Sequence, residues 1–588
     1  MSHPTLKIAL CQLNLTTGDF EGNFRKAEKA VSENEADIYV FPEGQVSNAL
    51  SADLYLDVPY LLEIDRWTKR YQALAVSSGK TLVFGAAVCR FRSDDRTMRP
   101  TNCLLAARPD GSTYCSEKVA TRSKDGGDQS RWFEAGEWPS EGLRLPVGDG
   151  DEVNVGLFFM DDVFQHGTIP ALQDIDPDIM IVADAAPYAC DGWRDRDRTL
   201  MRIVVSAGHQ KVPVVFANRV GGNDEAVWNG RSIAMDWDGT VHESVAWAES
   251  VEVVTYEKRR GEWVLPRQPE AEKVASDIER YVAVCVGLRD YMAKTGFGKA
   301  VLGLSGGADS ALVALMAADV LGAENVHSIM MPTNYTSGAS NELAMDLATG
   351  LGADSRFVAV QPLFDAYRTA LAAAYGDTVP NVAEENLQAQ IRGDLLSWHS
   401  NKFGAMILST GNKSEAAMGY ATLYGDMRGG YNPLKDLYKT EVFELLEMRL
   451  AYALGNRDDF GGFFERSTGR KPARLRKVRE HDGPAALRAI IDRPPSAELA
   501  EGQLDSDSLP DYPVLDKILH AMIENDDGLT NEEVAKLTRE PLELVEQVRK
   551  RLRIMEYKRF QSCPGPKIHV RSLTGRDWQY PMASAWRE

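Results

Sequence analysis

Regular alternation of short β-type runs and helical stretches is the feature of this sequence that most restricts its possible folds. In the second half, the strand-like runs KAVLGL, VHSIMMP, SRFVAV and AMILST are separated by helix-like segments such as SALVALMAADVLG and NELAMDLATGLG. Strands joined through helices pair in parallel, and parallel sheets bind ligands at the carboxyl ends of their strands. We therefore predict a Rossmann-like, parallel-sheet α/β domain in this half.

The first half alternates β and helical stretches as well, beginning with the strand LKIALCQL, the helix NFRKAEKAVSENE and the strand DIYVFPE, which ends at Glu43. The segment EKRRGEWVLPRQPEAEKVA that follows this half is polar and contains prolines, as linkers do. A chain of 588 residues is also too long for one hydrophobic core. We predict an N-terminal domain over residues 1–262, a linker over 263–275 and a C-terminal domain over 276–588.

Composition excludes several classes of protein. The 66 basic and 86 acidic residues give a net charge of −20, which disfavours a general nucleic-acid binder. No apolar run approaches the ~20 residues of a membrane-spanning helix, and the N-terminus does not resemble a signal peptide, so we expect a cytoplasmic protein without membrane contacts. The seven cysteines are widely spaced and include no CxxC, so neither a disulfide framework nor a zinc site is expected.

A glycine-rich turn, SGGADS, follows the strand KAVLGL and precedes a helix. Two glycines at such a turn, Gly306 and Gly307, let backbone amides turn inward around an anion, and the helix N-terminus adds partial positive charge. The spacing differs from a Walker loop, and the hydroxyls of Ser305 and Ser310 take the place of its lysine. Asp309 is placed to hold Mg²⁺, although it is also suited to be an ordinary helix cap.

The SGGADS turn resembles the pyrophosphate loop of N-type ATP pyrophosphatases, which cleave ATP to AMP and pyrophosphate. That group includes GMP, asparagine and argininosuccinate synthetases, so the loop alone does not identify a substrate. Six further segments are similar, in the same order, to the motifs of NAD synthetases, and the resemblance covers residues 276–588. The segments are EENLQAQIRG (384–393), TGNKSE (410–415), GYATLYGD (419–426), PLKD with KT (433–436 and 439–440), PPSAEL (494–499) and EYKR (556–559).

The resemblance implies a reaction in which ATP adenylates the nicotinate carboxylate of deamido-NAD and ammonia then displaces AMP. Such chemistry needs positioning and charge neutralisation more than side-chain nucleophiles. Asp309 and Glu415 are the candidate Mg²⁺ ligands, and Lys439 is expected to steady the pyrophosphate, so these three form the expected catalytic set. For each charged residue taken alone, a solvated ion pair is the lesser alternative, and for the whole set that explanation is weak. The expected ATP-binding residues are Ser305, Gly306, Gly307, Asp309, Ser310, Thr410, Lys439 and Ser496, and the expected deamido-NAD-binding residues are Asn386, Arg392, Glu415, Asp426 and Lys558.

One segment departs from the NAD synthetase pattern. Between Tyr452 and Ile491 the sequence GNRDDFGGFFERSTGRKPARLRKVREHDG is longer and more basic than the resemblance leads us to expect. It is interpreted either as a mobile lid over the phosphates or as a surface insertion or oligomer contact.

The N-terminal half resembles nitrilase-fold amidases, which implies an αββα sandwich. In glutamine-dependent NAD synthetases this domain hydrolyses glutamine to supply ammonia, using a Glu, a Lys and a Cys. Glu43 matches the glutamate and Lys118, in CSEKVA, matches the lysine. The nucleophile belongs in a segment similar to GLxICEDxW, which here reads GLFFMDDVF and places Met160 at the cysteine's position. A thioether cannot form the thiolate on which this catalysis depends.

Further departures point the same way. The family's LPNYxVFDE loop becomes VATRSKDGGDQ, so its glutamate is Gln129 at best, and the glutamine-binding NASPY segment reads DAAPY from Asp184. Cys190 lies in a different segment from the expected nucleophile. We therefore expect an ammonia-using NAD synthetase with an inactive glutaminase-like domain, and the resemblance implies a homo-oligomer built partly through these domains.

Three alternatives stay open at this point. The first is a working glutamine-dependent NAD synthetase that uses another nucleophile or a partner amidase. The second is an ATP-dependent amidotransferase that acts on a different carboxylate. The third is a scaffold without catalytic activity.

Overall fold

The computed structural model describes residues 4–586 except 50, 90–98, 124–126, 149, 164, 166, 186, 191–211, 377–378, 526–527, 574–576 and 579. The chain forms two compact units. None of the helices in the described ranges combines the length and the apolarity that crossing a bilayer requires. The first unit comprises Met1–Asn223 and Val227–Lys273, and the second comprises Asp224–Ala226 and Val274–Glu588.

Two β-sheets form the centre of the first unit. The larger sheet has the order β17-β16-β1-β2-β3-β4-β5 and the smaller has the order β15-β14-β11-β10-β9-β8. The strands are β1 (Thr5–Gln12), β2 (Ile38–Val40), β3 (Thr81–Val88), β4 (Thr101–Ala107), β5 (Thr113–Glu117), β6 (Arg122–Ser123), β7 (Gly127–Asp128), β8 (Leu143–Val147), β9 (Asp151–Phe159), β10 (Ile179–Ala183), β11 (Val214–Ala217), β12 (Val220–Asn223), β13 (Ala226–Asn229), β14 (Ile233–Met235), β15 (Val241–Glu243), β16 (Ser250–Arg259) and β17 (Glu262–Val264).

Successive side chains along a strand of this unit point to opposite faces of the sheet and therefore belong to different layers. In β1, Ile8 and Leu10 join the core between the two sheets, whereas Ala9 and Cys11 face outward and pack with Phe24 of a covering helix. This follows from the two-residue period of a strand. The αββα sandwich confirms the predicted fold. The helices are α1 (Phe20–Glu33), α2 (Val58–Ser78), α3 (Met160–Val163) and α4 (Thr168–Ile175), with a 3₁₀ turn at Ala52–Leu56.

A four-stranded parallel sheet forms the centre of the second unit. Its strands are β18 (Ala300–Gly303), β19 (Val326–Met330), β20 (Asp354–Phe357) and β21 (Met406–Ile407), in the order β20-β19-β18-β21. The predicted parallel α/β domain is therefore confirmed, although β21 is shorter than the run AMILST suggested. A small hairpin, β22 (Lys477–Val478) and β23 (His481–Asp482), lies outside this sheet.

Helices cover the sheet and continue past it towards the C-terminus. The helix at the glycine-rich turn is buried on nearly all sides, in keeping with its apolar sequence ALVALMAADVL. The helices are α5 (Ser276–Lys294), α6 (Ala308–Leu321), α7 (Gly338–Leu351), α8 (Gln361–Tyr375), α9 (Val382–Phe403), α10 (Lys413–Met418), α11 (Lys439–Ala453), α12 (Asp458–Thr468), α13 (Gly483–Asp492), α14 (Tyr512–Ile523), α15 (Asn531–Thr538), α16 (Leu542–Ile554) and α17 (Glu556–Arg559), with 3₁₀ turns at Ala323–Asn325 and Asp505–Asp507.

Candidate active site

A cavity of about 560 Å³ lies in the second unit at the carboxyl ends of its parallel strands. Its wall includes Gly303 at the end of β18, Met331 just after β19 and Leu408 just after β21. Polar loops that leave these strand ends complete the wall. The volume and the position are those of a site for a small organic substrate such as a nucleotide.

The SGGADS turn forms one wall of the cavity and is held by its own hydroxyls. The Oγ atoms of Ser305 and Ser310 lie 3.0 Å apart, and the amide of Gly307 donates to Ser305 Oγ over 3.2 Å. Gly306 adopts a φ of +82°, and a Cβ there would lie 2.3 Å from the carbonyl oxygen of Ser340. Only glycine fits this position. Helix α6 begins within this segment, at Ala308, without a side-chain cap, so its positive end is available to an anion.

Lys439 lies between two acidic side chains on the cavity wall. Its Nζ is 2.5 Å from Asp309 Oδ2 and 3.0 Å from Glu415 Oε1. Burial would lower the pKa of Lys439, but the two carboxylates raise it well above its ordinary value. Burial also raises the pKa of Glu415 to about 8, against the opposing effect of Lys439. The lysine is therefore charged throughout the physiological pH range.

Asn412 fixes this acidic pair, and sequence reasoning did not identify it. Its Nδ2 donates to Asp309 Oδ1 over 2.8 Å, and its Oδ1 accepts from the amide of Glu415 over 3.0 Å. Asn412 and Glu415 form a capping box at the start of α10. The sequence did carry a signal for this, because an Asn followed three residues later by a Glu is typical of a helix N-terminus.

The chemistry of Asp309 and Glu415 fits a bound magnesium ion. Both are hard oxygen donors, the class of ligand that Mg²⁺ prefers, and one or two carboxylates together with substrate phosphates commonly hold it. The ammonium group of Lys439 already lies between them, so the site accommodates positive charge at this point.

Two residues of α9 form a second part of the wall. Asn386 Oδ1 accepts from Thr422 Oγ1 over 2.8 Å, and Arg392 Nε donates to the carbonyl oxygen of Met331 over 2.9 Å. Burial lowers the pKa of Arg392 to about 10, so its guanidinium still carries a positive charge at neutral pH.

Asp426 and Lys558 lie on the wall beside these residues. Asp426 Oδ1 accepts from the amide of Thr422 over 2.6 Å, and burial raises the pKa of the Asp426 carboxyl. Lys558 Nζ donates to the carbonyl oxygens of Gly419 and Ala421 over 2.7 and 2.6 Å. Burial lowers the pKa of Lys558.

The PPSAEL segment contributes Ser496 and a second ion-paired cluster. Ser496 Oγ donates to the carbonyl oxygen of Gln503 over 2.5 Å. Glu498 Oε1 lies 3.2 Å from Arg493 Nη2 and accepts from Ser340 Oγ over 2.8 Å. Arg493 and Ser340 line the cavity too, and sequence reasoning missed both.

Every residue that the sequence assigned to ATP or deamido-NAD lies on the wall of this one cavity, including Thr410. Their separate roles stay predictions.

The basic segment over residues 470–479 is different, because none of its residues lines the cavity. The helix before it, α12, is anchored through Phe460 and Phe464, whose rings pack against Tyr281 of α5.

The first unit contains a buried ion cluster at the position where an amidase site was predicted. Lys118 Nζ lies 2.9 Å from Glu43 Oε1 and 2.6 Å from Asp161 Oδ2. Asn102 Nδ2 also donates to Glu43 Oε1, over 2.7 Å. Burial raises the pKa of Glu43, and the two carboxylates raise that of Lys118 although burial opposes them. Sequence reasoning found Glu43 and Lys118 but missed Asp161 and Asn102.

Met160 is the first residue of α3 and follows directly after β9. It is buried in the hydrophobic cluster on the outer side of the smaller sheet, together with Phe158. Cys190 follows β10 instead, the strand beside β9. The DAAPY segment also begins after β10, and the carbonyl oxygen of Asp184 accepts from the amide of Glu43 over 3.3 Å. Its residue 186 lies outside the described residues, as does residue 164 of GLFFMDDVF.

Comparison with known proteins matches each of the two units to a protein family. The family model for NAD synthase matches residues 280–458 and 462–562, and the model for carbon-nitrogen hydrolases matches residues 7–263. The chain is 37% identical to the glutamine-dependent NAD(+) synthetase of Rhodobacter capsulatus over 99% of both chains. It is 34% identical to the enzyme of the same name from Xanthomonas campestris pv. campestris, over 99% of this chain and 98% of the other.

Solved structures agree with these sequence relationships. The glutamine-dependent NAD+ synthetase of Acinetobacter baumannii, solved with ADP, superposes with a TM-score of 0.70 at 28% identity and 99% coverage of each chain. The Cytophaga hutchinsonii enzyme of the same name gives a TM-score of 0.76 at 18% identity, with 99% of this chain and 98% of the other covered, and so supports the fold alone. The chain therefore belongs to the family of two-domain glutamine-dependent NAD(+) synthetases, and it is an ATP-dependent ligase that forms carbon–nitrogen bonds.

Proposed function

We propose that the second unit converts deamido-NAD to NAD by ATP-dependent amidation with ammonia. A carboxylate oxygen of the nicotinate attacks the α-phosphorus of ATP, and pyrophosphate leaves. The nitrogen of ammonia then attacks the activated carbonyl carbon, and AMP leaves with the former carboxylate oxygen while the nitrogen loses one proton. The observation that carries this proposal is the single cavity that unites the SGGADS turn with Asp309, Glu415 and Lys439.

The SGGADS turn and the N-terminus of α6 are suited to hold the phosphates of ATP, since both present positive partial charge to the cavity. Lys439 neutralises the pyrophosphate as it leaves. Asp309 and Glu415 would hold Mg²⁺, which neutralises phosphate charge when bound. When that ion binds, Lys439 would move away from the two carboxylates and towards the phosphates.

A second set of residues on the cavity wall is suited to deamido-NAD, a dinucleotide with two phosphates and a carboxylate. Arg392 and Lys558 supply the positive charge, and Asn386 and Asp426 supply polar groups for hydroxyl and amide recognition. Arg392 is already oriented by its bond to the carbonyl oxygen of Met331.

We propose further that the first unit has no glutaminase activity. Met160 directly follows β9, and by the resemblance of GLFFMDDVF it stands where the nucleophile is expected. Loss of a covalent nucleophile costs on the order of 10⁶ in rate. The ammonium group of Lys118 pairs with two carboxylates, those of Glu43 and Asp161. These three side chains therefore compensate one another's charge in the interior without a bound substrate.

Two observations favour a second candidate, a working glutamine-dependent enzyme. The curated relatives are named glutamine-dependent, and Glu43 and Lys118 are both present as a buried pair. Cys190 follows the strand beside β9, so it is the nucleophile to test.

The deciding experiment measures NAD formation by the purified full-length chain from deamido-NAD, ATP and Mg²⁺, with ammonium or glutamine supplied in separate reactions. We expect turnover with ammonium and none with glutamine above an ammonia-contamination control. Equal turnover with glutamine, lost in Cys190→Ala, would establish the second candidate. Absence of turnover with both nitrogen donors would refute the proposed synthesis of NAD.

A further inference from the structure

A group of sulfur and oxygen atoms lies on β4 and β5 of the first unit. The sulfur atoms of Cys103 and Cys115 and a carboxylate oxygen of Glu117 all lie within 4.8 Å of one another. The pairing of the strands explains this. Cys103 is opposite Glu117, and Leu105 is opposite Cys115 in the antiparallel register. Because side chains alternate along a strand, all four project from the same face.

We propose that Cys103, Cys115 and Glu117 bind a thiophilic divalent cation of the zinc class. Two thiolates and a carboxylate form a donor set that zinc accepts in proteins, and they favour it over magnesium or calcium. Three protein ligands leave a fourth tetrahedral position for water. No zinc site was expected from the sequence, since these ligands meet across a strand pair and not within a CxxC segment.

The burial of the three side chains suits a site that a metal ion can enter. Cys103 is fully buried, Glu117 is half-buried and Cys115 is exposed. Strand β5 is the edge strand of the larger sheet, so solvent reaches the group from the side of Cys115. A bound ion would join the edge strand to β4 by side-chain bonds in addition to the backbone ladder.

The surrounding contacts orient two of the three ligands. The amide of Glu137 donates to Glu117 Oε2 over 3.1 Å, and Gly136 packs so closely that a Cβ there would lie 2.3 Å from the Cβ of Glu117. The Cys103 thiol donates weakly to the carbonyl oxygen of Thr101, at 3.6 Å. Since thiolates are the ligands, metal binding releases the thiol protons to solvent.

The test titrates the reduced full-length protein with Cd²⁺, a spectroscopic substitute for zinc, and records the ultraviolet charge-transfer absorption of cadmium thiolates. We expect about one equivalent of Cd²⁺ per chain, and displacement of that ion by added Zn²⁺. Cys115→Ser is the main variant, because its side chain is exposed and its loss should not disturb the core. It should lose the absorption band.

Glu117→Gln keeps both thiols and tests the carboxylate separately, with binding expected to weaken by at least about tenfold. Cys563→Ser, in the other unit, is the matched control and should bind Cd²⁺ as the wild type does. Far-ultraviolet circular dichroism and the thermal unfolding midpoint of each variant report that it is folded. Absence of the band in the wild type, or a band and affinity unchanged in Cys115→Ser, would overturn the proposal.

Discussion

A single ammonium group, that of Lys439, links Asp309 and Glu415 in the cavity of the second unit. Replacing it with alanine leaves two carboxylates facing each other and removes the cation that the proposed reaction uses for the pyrophosphate. We expect Lys439→Ala to lower kcat for ammonium-supported NAD formation by on the order of 10²–10³. Lys402→Ala, on an exposed part of α9, is the matched control and should keep the wild-type rate. An unchanged kcat in Lys439→Ala would exclude Lys439 from the reaction.

At Gly306, the backbone conformation and the neighbouring atoms exclude every residue except glycine. At a φ of +82° and with the Ser340 carbonyl oxygen so near, an alanine side chain forces the SGGADS turn to shift. We expect Gly306→Ala to raise the KM for ATP about tenfold or more, since a strain of roughly 1–3 kcal/mol falls on the phosphate-binding turn. Gly298→Ala is the control, because a Cβ there meets no atom within 4 Å. Equal KM values for the two variants would show that the turn does not touch ATP.

At the scale of elements, a buried ion cluster joins the C-terminal segment to two helices. His569 Nε2 lies 2.9 Å from Glu441 Oε2 of α11, and Glu441 also binds Arg280 of α5. Burial would raise the pKa of Glu441, but His569 and Arg280 bring it down to about 2. Burial would lower the pKa of His569, but Glu441 raises it above its ordinary value.

This cluster predicts a dependence of stability on pH. Because the folded protein holds the His569 proton more tightly than the unfolded chain, the stabilisation is complete below about pH 6.5 and is lost as the pH rises through the folded pKa. We expect the thermal unfolding midpoint of the wild type to fall more between pH 6 and pH 9 than that of His569→Gln, measured by calorimetry. Parallel pH profiles for the two proteins would contradict the assignment.

The elements that could be predicted from the sequence are those with a local signal. The SGGADS turn and the TGNKSE segment each follow a strand, and the carboxyl ends of parallel strands meet at one edge, so their meeting in one cavity was predictable. Asn412, Arg493 and Asp161 were missed because each contacts a distant segment, as Arg493 does through its hydrogen bond to Ser340 Oγ, and no periodicity records such a contact. The basic segment after α12 was open to two interpretations, since charge alone does not reveal which surface a segment covers.

At the scale of the whole molecule, the net charge of −20 opposes the approach of ATP and deamido-NAD, which are both anions. Salt screens this repulsion, with a Debye length of about 8 Å at 0.15 M. We expect kcat/KM for both substrates to rise by a few-fold as KCl is raised from low ionic strength to about 0.15 M. A steep fall over the same range would mean that the local field of Arg392, Lys439 and Lys558 outweighs the overall charge.

The buried cluster of Lys118, Glu43 and Asp161 also limits how an amidase site can decay in evolution. Removing Lys118 leaves the carboxylates of Glu43 and Asp161 without their cation in the interior of the sandwich, which costs about 3–5 kcal/mol, a large part of the stability margin of many domains. A single substitution of Lys118 is therefore rejected for the sake of folding, whether or not any chemistry selects this residue. The position of Met160 carries no such penalty, so, on the proposal that the first unit has no glutaminase activity, Lys118 is kept for folding while the nucleophile position is free to change.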